Sequence, residues 1–136
     1  MTPAVGTVIT EKITITDEMI RKFAEVSGDY NPIHMDEEYA KKSRFGRRIA
    51  HGMLSAAFIS RVLAMKIGHG GIYLGQTLKF MQPIFIGDEI TLELTLTNFR
   101  AERGLAFVET IVKNQAGDVC VKGDATIMSP DAIKKS

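Results

Sequence analysis

Ala50-His51-Gly52-Met53-Leu54-Ser55-Ala56-Ala57-Phe58-Ile59-Ser60-Arg61-Val62-Leu63-Ala64-Met65-Lys66-Ile67 is the stretch on which the fold turns. Its apolar residues fall almost all round a helical axis, so a helix here is buried on most sides and something must wrap it. The wrapper lies downstream. After Gly68-His69-Gly70-Gly71 the period changes to alternation, in Tyr73 to Phe80, in Ile90, Leu92, Leu94 and Leu96 against Thr91, Glu93, Thr95 and Thr97, in Leu105 to Val112, and in Val119 to Met128. Breaks at Gly87-Asp88, Glu102-Arg103-Gly104 and Gln115-Ala116-Gly117-Asp118 divide these into sequential strands, and short connections make such strands antiparallel neighbours. Helices first and strands afterwards predict an α+β fold, an antiparallel β-sheet wrapped around a long central helix. Sheet edges are usually managed, which predicts a homodimer.

Upstream lies Ser27-Gly28-Asp29-Tyr30-Asn31-Pro32-Ile33-His34-Met35-Asp36. Its Gly and its Asn-Pro pair predict a fixed loop, neither regular helix nor strand, presenting Asp29 and His34. Pro32 locks its own φ and biases Asn31 towards extended backbone, while Gly28 reaches φ values closed to other residues. A helix precedes this loop, with an N-cap signal at Thr16-Asp17 and Met19, Ile20, Phe23, Ala24 and Val26 along it. A short helix follows from Asp36-Glu37-Glu38 to Lys42, acidic at its start and basic at its end as the helix dipole prefers. Gly6 to Ile15 reads as a strand or strand pair, and Phe45-Gly46-Arg47-Arg48 as a turn.

The 136 residues make one domain, 1–136, with room for a single core. A net charge of +1 lacks the basic face that nucleic acid demands. Met1 to Gly6 shows neither the positive start nor the apolar core of a signal peptide, and no uncharged apolar run reaches the ~18 residues of a membrane span. A soluble cytoplasmic protein without nucleic-acid or membrane partners is expected. The single cysteine, Cys120, sits in an alternating segment as a structural strand residue and fits a reducing compartment. The tail from Asp131 to Ser136 reads as dispensable.

Across a turn, Asp29 and His34 are near enough to face one cavity. A carboxylate and an imidazole together can hold a water, deprotonate it and direct its oxygen at an electrophilic carbon. The bland alternatives are a turn-forming Asp and a satisfied core or surface His. Gly52, at the entry of the buried helix, offers an orphan N–H that a substrate carbonyl oxygen can approach because no side chain intervenes; tight packing is the plainer explanation. Ser60, eight residues on, adds a hydroxyl or is simply a satisfied helix serine. His51 reads as packing or capping the helix start and not as a proton carrier, and His69 as exposed in a glycine-rich turn. No His-x-x-x-His or cysteine cluster sets metal-ligand spacing around Asp29, His34, Asp36 or His51, so no metal is expected.

Phe23 to Ala40 closely resembles the hydratase signature of the MaoC-like, (R)-specific enoyl-CoA hydratases and 3-hydroxyacyl thioester dehydratases. Ile49-Ala50-His51-Gly52-Met53-Leu54 resembles that family's second block and Phe80-Met81-Gln82-Pro83-Ile84-Phe85-Ile86-Gly87-Asp88 its third. The resemblance implies a hot-dog fold, commonly a homodimer, acting in fatty acid metabolism by reversible syn addition of water to a trans-2-enoyl-CoA to give an (R)-3-hydroxyacyl-CoA. It implies that Asp29 and His34 activate the water and handle the α-carbon proton, that Gly52 polarises the thioester carbonyl, and that Asn31 and Ser60 support them. No cofactor is implied beyond the coenzyme A of the substrate. Arg44, Arg47, Arg48 and Lys79 are candidates for its phosphates or for an acidic acyl carrier protein, against the default of a solvated charged face. Rival expectations are an acyl-CoA thioesterase on the same fold, a non-enzymatic acyl-thioester sensor, and a subunit of an acyl-carrier-protein dehydratase.

Overall fold

The computed structural model describes residues 4–67 and 69–133. The start of the expected leader-free N-terminus, one glycine of the turn before Tyr73 and the last three residues of the tail lie outside the described residues. In chain order the elements are β1 (Val8–Thr14), α1 (Asp17–Ser27), α2 (Pro32–Met35), α3 (Glu37–Lys41), α4 (Gly52–Lys66), β2 (Ile72–Gln76), β3 (Lys79–Phe80), β4 (Glu89–Arg100), β5 (Leu105–Lys113), β6 (Val119–Met128) and α5 (Pro130–Ile133). Among the described residues no helix is long and apolar enough to cross a membrane.

The sheet is antiparallel throughout, in the order β1-β4-β5-β6-β2, with β3 also paired to β6. Alternation does the work expected of it in β4: Ile90, Leu92, Leu94 and Leu96 are fully buried on one face. They share one core with Leu54, Ile59, Val62 and Leu63 of α4 and with Val108, Val112, Ala125 and Ile127 of β5 and β6. Each such side chain removed from water contributes about 1.5–3 kcal/mol, which holds α4 against the sheet. The outcome is the hot-dog arrangement.

Three expectations change. The stretch from Tyr73 to Phe80 is two strands, because the ladder with β6 is interrupted at Thr77-Leu78 and resumes on the same edge and in the same register at Lys79. The meander is broken between β3 and β4: β4 pairs with β1 and β5, so the connection through Met81 to Asp88 crosses the sheet instead of turning into a hairpin. The long helix is shorter than Ala50–Ile67 and is not buried on most sides in a single chain. Leu54, Ser55, Ile59, Val62 and Leu63 face the core, but Met53, Ala57, Ala64 and Met65 are exposed. An all-round apolar pattern counts surface that one sheet face cannot cover.

The break in the ladder depends on Gly123. Thr77 N–H donates to the Asp124 carbonyl at 2.9 Å, and the Thr77 hydroxyl accepts the Asp124 N–H at 3.0 Å. Thr77 lies so close to β6 here that a Cβ on Gly123 would overlap the Thr77 carbonyl oxygen. Gly123→Ala is expected to cost about 3 kcal/mol of stability, the upper end for overpacking. Denaturant unfolding checks this, and an unchanged midpoint would refute the close approach of Thr77 to Gly123.

Candidate active site

The residues around Asp29 are shaped by caps. Gly28, at φ 79°, ends α1 in the left-handed conformation, and its N–H donates to Ala24 O at 2.8 Å. Asp29 N–H donates to Ser27 Oγ at 3.1 Å, and Asp29 Oδ1 accepts the Asn31 N–H at 3.2 Å. Asn31 Oδ1 in turn accepts the Ile33 N–H at 3.2 Å, as the N-cap of α2. The expectation of an irregular loop through His34 is therefore corrected. Asn-Pro is a cap followed by a proline in the first turn, where its missing N–H costs nothing, and His34 sits buried on a one-turn helix.

His34 Nδ1–H donates to the Ile49 carbonyl at 2.8 Å. A carbonyl only accepts, so the neutral ring carries its proton on Nδ1 and leaves Nε2 bare and basic. Burial pushes the His34 pKa below its usual value, and repulsion from His51 and Arg48 adds to this; the Ile49 carbonyl and Asp29 oppose it without cancelling it. His51 lies against it, with ring centroids 4.1 Å apart and planes 30° apart, and with Phe23 4.9 Å away. His51 Nε2–H donates to the Asp29 backbone carbonyl at 2.9 Å. Its Nδ1 is buried without a hydrogen-bond partner among the described residues. The sequence did not single out His51 as part of this cluster. Its place between a chemistry-bearing loop and the helix entry was the available signal.

Arg48 belongs to the same framework. It was a candidate for coenzyme A phosphates, but it is buried: Nε–H donates to His34 O at 2.6 Å, and the far end pairs with Asp17 Oδ1 at 2.7 Å. Bonds from Arg21 and Arg48 hold the Asp17 carboxyl below its ordinary pKa. Arg48 is thus spent inside the protein. Lys79 is opposite Lys122 in the β3–β6 ladder, and its neighbour Phe80 lines the cavity, so alternation turns Lys79 to the other face of the sheet. Arg47 lies over the Phe85 ring at 3.9 Å. Of the four candidate cations, Arg44 alone lines the cavity.

That cavity, of about 380 Å³, is walled by His34, His51 and Gly52 together with apolar side chains such as Phe45, Ile49, Met53, Phe80 and Ile84. Asp29 is exposed and is not itself among the cavity's walls. Gly52 opens α4, whose N-cap side chain makes no capping bond, so the leading amide has no acceptor within its helix. A Cβ here would press on the Phe80 ring, 2.7 Å from its nearest atom. Ser60 is half-buried about 12 Å further along the helix, and it is not among the cavity's walls.

One donor atom from each of Asp29, His34 and His51 lies within 4.8 Å of the others, which is the spacing of a three-ligand metal set. The rings, however, are stacked. A metal lies in the plane of each imidazole at about 2.0–2.1 Å, and the lone pairs of stacked rings run side by side instead of converging there. Proton transfer suits the arrangement better than ligation.

Residues 2–117 match the family described as MaoC like domain. The chain is 45% identical over 118 residues to an (R)-specific enoyl-CoA hydratase of Rhodospirillum rubrum, across 86% of this chain and 81% of that protein. It is 40% identical over 112 residues to an (R)-specific enoyl-CoA hydratase of Aeromonas caviae, across 82% of this chain and 84% of that one. Its fold superposes on the unliganded R-hydratase PhaJ1 of Pseudomonas aeruginosa with a TM-score of 0.89 at 43% identity, over 94% of this chain and 83% of that chain. Matched over residues 2–117 and at least 40% identical to these hydratases over most of its length, the chain belongs to the MaoC-like domain family.

Proposed function

We propose that this protein is a hydro-lyase that adds water reversibly and syn across the double bond of a trans-2-enoyl-CoA, giving the (R)-3-hydroxyacyl-CoA. The observation that carries the reading is that His34 and the leading residue of α4 wall one apolar cavity, with a carboxylate oxygen of Asp29 within 4.8 Å of a His34 ring nitrogen. Water sits between the carboxylate and the bare Nε2 of His34. Its proton passes to this pair as its oxygen bonds to the β-carbon, and the pair delivers a proton to the α-carbon from the same side, so addition is syn and the pair is restored. The electrons displaced from the double bond move onto the thioester oxygen in the transition state. The Gly52 N–H, at the positive end of α4, receives that oxygen where apolar walls limit screening by water. Asn31 supports the pair by capping α2. Such chemistry needs proton carriers and an oxyanion donor, and no cofactor.

The reading includes a homodimer. Ile72 and Leu74 on the edge strand β2, with Phe80, Met81 and Met53 near the cavity, are each 45–56% exposed in a single chain, and a second copy would cover them. The lone Cys120, reduced and buried in β6, supports a cytoplasmic setting.

Incubation with crotonyl-CoA and longer enoyl thioesters, on coenzyme A and on carrier protein, is expected to consume the enoyl absorbance and yield the (R) product. No turnover on any of them would overturn the reading. Asp29→Asn is expected to lower kcat by about 10²–10⁴-fold with the fold intact by circular dichroism; retained activity would remove Asp29 from the chemistry.

The pH profile is a separate check. Turnover needs bare Nε2, so kcat/KM falls as pH drops through the His34 pKa, which lies below 6.5. Stability has the same sign, because the unfolded chain takes up the proton first: the contribution is fully present above pH 6.5 and is lost as pH falls towards the folded value. An acid limb at or above the ordinary histidine value would contradict a buried neutral imidazole.

A further inference from the structure

We infer that His51 is a positioning residue: one ring holds Asp29 by its backbone and His34 by its face, and so fixes the spacing of the two proton carriers. The inference rests on the hydratase reading and deepens it. His51 occupies the N-cap position of α4, where a side chain ordinarily caps the helix, yet it makes no capping bond. The ring is turned instead towards the chemistry, 2% exposed, with Phe23 beside it.

Asp29 needs such a tie. Its bonds to Ser27 and Asn31 are local and shape the turn without joining it to α4. The bond from His51 Nε2–H spans 22 residues and is what sets this exposed turn against the helix entry. The same ring stacks on His34, whose own Nδ1–H is committed to Ile49, so neither its tilt nor its tautomer is free.

The test compares wild type with His51→Leu, which removes donor and ring, and His51→Gln, whose amide reaches the same carbonyl. In crotonyl-CoA hydration, His51→Leu is expected to lose about 10²-fold in kcat with KM little changed, as for a misplacement of reacting groups. His51→Gln is expected to recover about tenfold of that loss. In ¹⁵N NMR titration, His34 is expected to titrate at higher pH in both variants, because the neighbouring ring is gone. Unchanged kcat in His51→Leu would overturn the inference. So would equal losses in both variants that follow the thermal midpoint while His34 titrates as in wild type. If His51→Leu does not fold, the kcat and His34 titration of His51→Gln decide. An inactive wild type would sink the hydratase reading instead, and the His34 titration alone would then decide whether His51 governs its neighbour.

Discussion

The short extended segment that leads into α4 is fastened on both flanks, and the site is a consequence of that fastening. On one side Ile49 N–H donates to Ile33 O at 3.2 Å while the Ile49 carbonyl receives the His34 ring. On the other side Ala50 N–H donates to Ile84 O at 2.7 Å, and Ile49 bridges to Phe85. A segment with its polar groups satisfied from two directions has little freedom to shift. The next two residues therefore arrive in fixed places, with the His51 ring against Asp29 and His34 and the Gly52 amide open at the cavity. A helix anchored in the core by Ile59, Val62 and Leu63 carries that rigidity to its first turn.

Burial then makes the fixed groups useful. Arg48 and Asp17 form a pair across 31 residues, and Arg48 also bonds the carbonyl of His34. A buried guanidinium is costly to desolvate and gains little net stability from one partner, so its value lies in holding α1 to α2 in a single geometry. Dry surroundings keep His34 neutral and its Nε2 available, and the same dryness strengthens what the helix-entry amide can do for a developing negative charge. Phe80 completes the wall because Gly52 has no side chain to fend it off.

The sheet contributes to the site through an irregularity. Where β6 carries both β2 and β3 along one edge, the ladder breaks at Gly123 and resumes with Phe80 on the cavity side and Lys79 on the other face. The connection that follows, from Met81 to Asp88, does not turn back on itself. It runs past the entry of α4, where Ile84 and Phe85 supply one of the two fastenings, and ends at Asp88, whose carboxylate accepts the Phe85 N–H at 2.9 Å and the Gln115 amide at 3.0 Å. A continuous strand from Tyr73 to Phe80 followed by a hairpin would have left the helix entry unheld on that side.

Much of this was legible in the amino-acid order. Alternation in β4, β5 and β6, the apolar run of α4, the Thr16-Asp17 cap signal and the conformational freedom of Gly28 are local signals, set by side-chain period and backbone sterics, and they were enough for the fold class and for Asp29, His34 and Gly52 as candidates. What they did not reveal depends on which distant groups meet. Charge alone made Arg48 look like a phosphate ligand, and only its meeting with Asp17 and the His34 carbonyl turned it inwards. His51 looked like helix packing until its nitrogen was seen to reach a carbonyl 22 residues away. Period and propensity act over a few neighbouring residues, so the sequence by itself determined the elements and the kinds of chemistry available. The partners of each buried polar group are chosen by packing across the whole chain, and that only the tertiary structure decided.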